Sequence, residues 1–299
     1  MNIWEFITST FSQAQETYMG FMKGTFQTFS WQNPLQAVMI IGLVCLLLEA
    51  FLPKKINYSL TGRKGFFQDL FYVLFIDFLI WPMGLFALLS VVEAFFLKGM
   101  AAMGFEKPQI AYIGELPTLA QFIIIFLIVD FTQWLGHYLL HRVPFLWEFH
   151  KIHHAQEDLG FASTRHFHWV EFFVFKPLLY IPFGLIGWTA ENYFVFQIWF
   201  GLGLTFLSHC NIRLNWGILN HILITPDTHF WHHARNVELK GKHKHGVNFA
   251  SVLCIWDKLF GFYHLPEKAK PELGIHKSDV PKSFLQQQIY PFKRIFKRS

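Results

Sequence analysis

Apolar residues in this chain come in long, nearly unbroken runs. The first extends from Leu35 to Leu52 with one charge, Glu49, and is stopped by Pro53-Lys54-Lys55. A second extends from Leu70 to Leu97, broken by Pro82-Met83-Gly84. It exceeds the roughly 20 residues that a bilayer requires, so it is expected to tilt, kink or protrude. A third spans Leu119 to about Leu140. Phe172–Trp188 and Tyr193–Leu207 are shorter apolar segments joined by Thr189-Ala190-Glu191-Asn192; they predict either two thin spans or a re-entrant hairpin. Residues 1–34 mix polar positions with Trp4, Phe6, Phe11, Tyr18, Phe21, Phe26, Phe29 and Trp31. They predict one or two helices lying at a membrane interface, with a loosely ordered segment as the alternative. After Ser208 the pattern turns polar, with a charged stretch from Arg235 to His245 and an aromatic one from Phe249 to Tyr263. The fold class expected is all-α: a polytopic integral membrane protein with a cytoplasmic helical cap. Residues 1–299 are expected to form one unit, with 1–34 interfacial, 35–208 membrane helices and their loops, and 209–299 the cap and tail.

Composition supports the membrane class. The 299 residues are 53% hydrophobic and 19% aromatic, with 37 Phe, and only 15% are charged; about 25% is usual for soluble proteins. The net charge of +5 does not point to nucleic acid, because the basic residues flank apolar runs and form no separate polar domain. Cys45, Cys210 and Cys254 are scattered and imply neither a disulfide framework nor a zinc ribbon. No cleavable leader is expected; the first apolar run begins late and reads as a permanent span. Lys and Arg set orientation. Lys54, Lys55, Arg63 and Lys64 fill loop 53–69, Arg142, Lys151 and Arg165 follow the third run, and the tail ends in Lys293-Arg294 and Lys297-Arg298. Loops near 98–118 and 189–192 carry little net charge. The expected topology has the N-terminus outside and loops 53–69, 142–171 and 209–299 in the cytoplasm, with every histidine cluster on that side.

Those clusters are the candidate chemistry. His137 and His141 stand four apart, His150, His153 and His154 follow as H-x-x-H-H, and His229, His232 and His233 repeat that spacing. On a helix, positions i, i+3 and i+4 lie on one side, so each cluster is expected to aim two or three imidazoles at one point. Neutral imidazole is the commonest metal ligand and suits iron, zinc, copper and nickel. Eight exceed what one tetrahedral ion needs and suit two ions side by side. Thr225 can cap a helix beginning at Pro226 and so carry the last cluster. Asp130 lies two turns before His137 on about the same side, where it can hydrogen-bond a ligating imidazole or pair with a neighbouring helix.

With these motifs in view, the chain resembles the fatty acid hydroxylase (sterol desaturase) superfamily of membrane enzymes. The resemblance covers about residues 120–265. It is carried by His137–His141, His150–His154, Ser208-His209-Cys210-Asn211, Thr225–His233, Asn248-Phe249-Ala250 and Trp256-Asp257-Lys258-Leu259-Phe260-Gly261. It implies a non-haem centre of two iron ions that activates O2 and either hydroxylates or desaturates a C–H bond of a lipid. It adds His209 as a ninth candidate ligand, and His168, Glu171, Asn211, Asn248 and Asp257 as residues around the ligands. The family's Arg-x-His-Pro-x-Glu is changed here to Arg165-His166-Phe167-His168-Trp169-Val170-Glu171, with Trp169 at the proline position. Phe249 and Ala250 stand for the usual Tyr and Gly. The basic residues of Lys240–His245 are expected to meet lipid phosphates rather than metal.

An unactivated C–H bond needs a redox-active ion, which excludes zinc as the working metal, although zinc can occupy such ligands in a purified sample. A cleft lined by Phe and Trp from the spans is expected to hold the lipid chain. No flavin, nicotinamide or haem fingerprint is present, so an external ferredoxin- or cytochrome-type donor with its reductase is expected. Two alternatives stay open: a metal-dependent membrane hydrolase working through activated water, and a metal-binding or transport protein. The latter predicts polar residues continuing across the spans, which the sequence lacks.

Overall fold

A computed structural model describes residues 2–102, 104, 116–178, 195–237, 240–266 and 270–298. Among these there are helices and turns but no strand; the extended contacts are two isolated antiparallel bridges, Leu223 with Leu253 and Ala234 with Leu273. Three helices among the described residues are long and apolar enough to cross a membrane: Pro34–Phe51, Phe66–Gly99 and Thr118–Arg142. The turn expected at Thr189–Asn192 lies outside the described residues, as do the flanking parts of its two apolar segments.

Helix α1 (Ile3–Gly24) starts on an Asn2 cap closed by Glu5. It packs along the second span rather than standing alone. Phe6 meets Phe95 edge-on at 5.3 Å, and the Tyr18 hydroxyl donates to the Asp77 carbonyl at 3.0 Å. Helix α2 (Pro34–Phe51) begins where Asn33 accepts from the Leu35 and Gln36 amides, with Pro34 at the first position; both are ordinary start devices. The second span is α3 (Phe66–Val73), a π-helical stretch Leu74–Leu85, and α4 (Phe86–Ala102). The kink expected at Pro82-Met83-Gly84 is present: Gly84 has φ 113°, a conformation that a side chain resists. The Gln15 amide donates to the Pro82 carbonyl.

Helix α5 (Thr118–Arg142) is the third span. Val143 is extended (φ −91°, ψ 116°) because Pro144 follows, and Pro144 opens α6 (Pro144–His154). The break turns the chain sharply between two histidine-bearing helices. Helix α7 (Leu202–His209) ends on His209. Helix α8 (Pro226–His232) has the expected Thr225 start, with Thr225 and Thr228 capping each other. Helix α9 (Ile255–Phe260) ends on left-handed Gly261, and α10 (Phe284–Arg298) closes the chain.

The cap is less helical than expected. Between its short helices the backbone is irregular and is held by buried side chains. Asp257 accepts from the Phe249 and Ala250 amides. Asn248, at φ 55°, bridges the Thr228 and His264 carbonyls. Cys45, Cys210 and Cys254 are buried free thiols.

Candidate metal centre

The imidazoles expected from sequence come together in two adjoining groups. His137, His141, His150, His154 and His232 form one; His153, His209, His229 and His233 form the other. Within each, the candidate ligand atoms lie within 4.8 Å of one another. The groups touch, with the His154 and His233 rings stacked at 4.4 Å. Each cluster brings two imidazoles to one point, and the third of each triplet goes to the other group. His150 and His154 enter the first group and His153 the second, whereas His229 and His233 enter the second and His232 the first. Helical geometry explains this. At 3.6 residues per turn, i+4 lies about 40° from i and i+3 about 60° away on the other side. The i, i+4 pair therefore shares a site and i+3 reaches its neighbour.

The rings are oriented by acceptors behind them. In the first group, Nδ1–H of His137 donates to the Phe249 carbonyl (3.1 Å), His141 to the His245 carbonyl (2.9 Å), His232 to the Val247 carbonyl (2.8 Å) and His150 to the Glu171 carboxylate (2.9 Å). In the second, His153 donates to the His166 carbonyl (3.2 Å) and His209 to the Thr205 carbonyl (2.8 Å). A proton on Nδ1 leaves a lone pair on Nε2. The Nε2 atoms of His141, His150, His154 and His232 are buried with no hydrogen-bond partner, a costly state for a polar atom.

In the second group Nε2 atoms face each other: His153 and His209 at 3.2 Å, His209 and His229 at 2.9 Å, His229 and His233 at 3.1 Å. Lone pairs at such distances repel unless a cation or a proton lies between them. Ligands about 2.0–2.1 Å from one metal stand about 2.8–3.4 Å apart along a coordination edge, so the nitrogens fit a bound ion. Burial, reinforced by the neighbouring imidazoles, holds His150, His153, His154, His229 and His233 well below the usual imidazole range. They are therefore neutral, as ligands must be.

The surrounding residues divide. Glu171 touches the site through His150; burial pushes its carboxyl well above the usual range. Asp257 accepts from Trp134 Nε1 at 2.8 Å and fixes Phe249, whose carbonyl orients His137. Asn248 clamps the same loop. Asp130 meets no imidazole: it accepts from the Val252 and Leu253 amides and from Trp256 Nε1, so it anchors the cap to α5. His168 caps the turn Trp169–Glu171 and donates to the Gln288 carbonyl. Asn211 ties down Ile56 through both backbone atoms. Neither touches a ligand ring. His243 donates to the Gly261 carbonyl, and neither its ring nor that of His245 joins a group.

Sequence reasoning missed the support behind His153. Asp69 accepts from Ser163, Gln156 and His166 at 2.5–2.7 Å and also from Arg63. This holds the 163–166 turn whose carbonyl receives His153. A lone Asp at the start of an apolar run gave no signal of that partnership, nor could backbone carbonyls be read as acceptors. A cavity of about 300 Å³ reaches His141, His154, His232 and His233. Its aromatic walls are Trp147 and Trp231, which lie outside the spans from which such walls were expected.

The described structure is thus that of a helical, membrane-associated protein with a candidate metal centre made only of imidazoles. Residues 122–262 match the family model for fatty acid hydroxylase, within the stretch over which the motif resemblance led us to expect it. The ornithine lipid hydroxylase OlsE of Rhizobium tropici is 31% identical over 204 residues, 65% of this chain and 59% of that protein. The alkylglycerol monooxygenase of Xenopus tropicalis is 32% identical over 150 residues, 50% of this chain and 32% of that protein. A cholesterol 25-hydroxylase-like protein of Danio rerio is 26% identical over 172 residues, 52% of this chain and 61% of that protein. The chain therefore spans less than two thirds of each. No solved structure matches.

Proposed function

We propose that this protein is a membrane oxidoreductase holding two iron ions, one in each imidazole group, which uses O2 to hydroxylate a C–H bond of a lipid. The observation that carries the reading is the convergence of nine buried imidazoles into two adjoining groups, with Nε2 of His153 and His209 freed for a metal by their Nδ1 donors and Nε2 of His141, His150, His154 and His232 left without a partner. The relatives are named as hydroxylases or monooxygenases, which favours hydroxylation over desaturation. In the proposed reaction one oxygen atom enters the C–H bond, and the other leaves as water with two electrons and two protons from an external ferredoxin- or cytochrome-type donor. The ions supply the redox chemistry when bound. His137, His141, His150, His154 and His232 hold one; His153, His209, His229 and His233 hold the other. Glu171 accepts the hydrogen bond from Nδ1–H of His150 and so holds that ring. Trp147 and Trp231 wall the cavity that gives access to the rings and keep bulk water from them. We assign the whole chain to one membrane-embedded unit with the histidine groups at the cytoplasmic end of the spans, on the distribution of Lys and Arg.

Lipid profiling of cells expressing the wild type and His153→Ala tests this, together with metal analysis of the purified proteins. The expected result is a lipid heavier by one oxygen, formed only with O2 and only by the wild type, and two irons in the active protein. A lipid lighter by two hydrogens makes the enzyme a desaturase. A product formed equally without O2 overturns the reading in favour of a hydrolase.

A further inference from the structure

Helix α10 lies outside the matched domain, and its two sides do different things. Its inner side braces the histidine-bearing elements. The Gln287 side-chain oxygen accepts from Tyr72 (2.8 Å) and lies 3.2 Å from His166 Nε2. The Tyr290 hydroxyl meets Lys151 of α6 (2.8 Å), and Phe292 meets Phe149 at 5.3 Å. Its outer side is apolar yet exposed: Leu285 is 70% exposed, Ile289 51% and Phe296 76%. Steps of four and seven keep these within a sector of about 40°. Exposed Lys293 and Lys297 border that sector on one flank. A stripe of this kind bordered by lysines is the pattern of a helix lying in a bilayer surface.

Two observations name the occupant. The stripe continues into the second span, where Phe284 packs on Phe71 (4.8 Å) and Phe75 (4.7 Å). There Phe67, Phe71 and Leu74 are exposed in turn, on a helix long and apolar enough to cross a membrane. The lysines, in addition, complement anionic lipid headgroups.

We infer that the outer side of α10 is a binding surface for the anionic face of a lipid bilayer, seated beside the start of the second span. Each lysine near such a surface contributes about fivefold to partition, and the effect weakens as salt rises.

The test uses the full chain in lipid nanodiscs, with a bimane label on Ile289→Cys, Leu285→Cys or Gln286→Cys. The wild type, whose three thiols are buried, sets the labelling background. Labels at 285 and 289 are expected to be quenched by bromine-bearing lipid and shielded from aqueous iodide, with the label at 286 behaving oppositely. In discs containing phosphatidylglycerol, the pair Lys293→Glu and Lys297→Glu is expected to reduce lipid quenching at 289. In purely phosphatidylcholine discs the same pair is expected to change little. Iodide access at 289 equal to that at 286 overturns the inference. So does shielding that depends on a second copy of the chain, seen as 289–289 cross-linking together with no quenching by the brominated lipid.

Discussion

Among the described residues, Glu171 is the one acidic side chain in contact with a candidate ligand, and its effect on the site can be argued from charge alone. A metal on Nε2 of His150 requires the proton to be on Nδ1, and a carboxylate behind it makes the imidazole a better donor. Burial pulls the other way, pushing the Glu171 carboxyl well above the usual range. The carboxylate is therefore worth most when metal is present. Glu171→Gln keeps an acceptor of the same shape and removes the charge. We expect iron affinity to fall about 10–100-fold with little change in thermal unfolding of the metal-free protein, read by chelator competition and by a melting curve. Unchanged affinity would assign Glu171 to packing only. At this scale the sequence was a good guide where identity alone decides chemistry: the nine imidazoles all enter the two groups. It was a poor guide to the residues around them. Asp130, His168 and Asn211 look suited to support a ligand, yet each satisfies backbone groups instead. Asp69, which does support one through the 163–166 turn, sits where only an apolar helix was legible.

The elements that carry the histidines are fixed by short local signals. Pro144 separates α5 from α6 and so sets the angle at which His137 and His141 meet His150 and His154. Thr225 and Thr228 start α8, which is only seven residues long. A helix that short has little intrinsic stability, so its cap carries unusual weight. Replacing Thr225 by Ala costs about 1 kcal/mol, and α8 presents His229 and His232 from that first turn and a half. We expect Thr225→Ala to lower the melting temperature by a few degrees, by about 2–4 °C per kcal/mol for a chain of this size, and to weaken metal binding in both groups at once, since α8 feeds both. Loss confined to one group would mean that α8 keeps its form without the cap. The apolar runs, the kink at Gly84 and the Thr225 start were all readable because each depends on neighbours in sequence. The loop-rich character of the cap was not, because Asp257, Asn248 and Asp130 act there on backbone amides and carbonyls far away in the chain. The splitting of each triplet between two groups was available in principle from the 100° helical step, but it needs the relative placement of α6 and α8 to become specific.

For the whole molecule, the cost of burying so many imidazoles sets how the metal-free protein responds to acid. His150, His153, His154, His229, His232 and His233 lie outside the spanning helices, and burial first, then mutual repulsion, holds each well below the ordinary imidazole value. Unfolded, they take up protons as the pH falls through about 6.5; folded, they resist until a lower pH. Their contribution to stability is therefore complete above about 6.5 and is lost as the pH falls toward the folded values. Asp257 runs the other way. Burial raises its carboxyl to about 6, so its contribution is complete below about 3.9 and is lost as the pH rises through 6. Glu171, also raised by burial, acts in the same direction as Asp257, and two carboxyls against six imidazoles leave the acid side dominant. Six imidazoles act in the same direction against the modest net stability of about 5–15 kcal/mol of an ordinary protein. We expect the melting temperature of the metal-free protein in detergent to be highest near neutral pH and to drop steeply between pH 6.5 and 5. Iron loading should move that drop to lower pH, because protons must then displace a bound ion. A metal-free melting temperature that stays level down to pH 5 would mean that the imidazoles take up protons in place, which is incompatible with the buried, neutral imidazoles on which the two-ion reading rests.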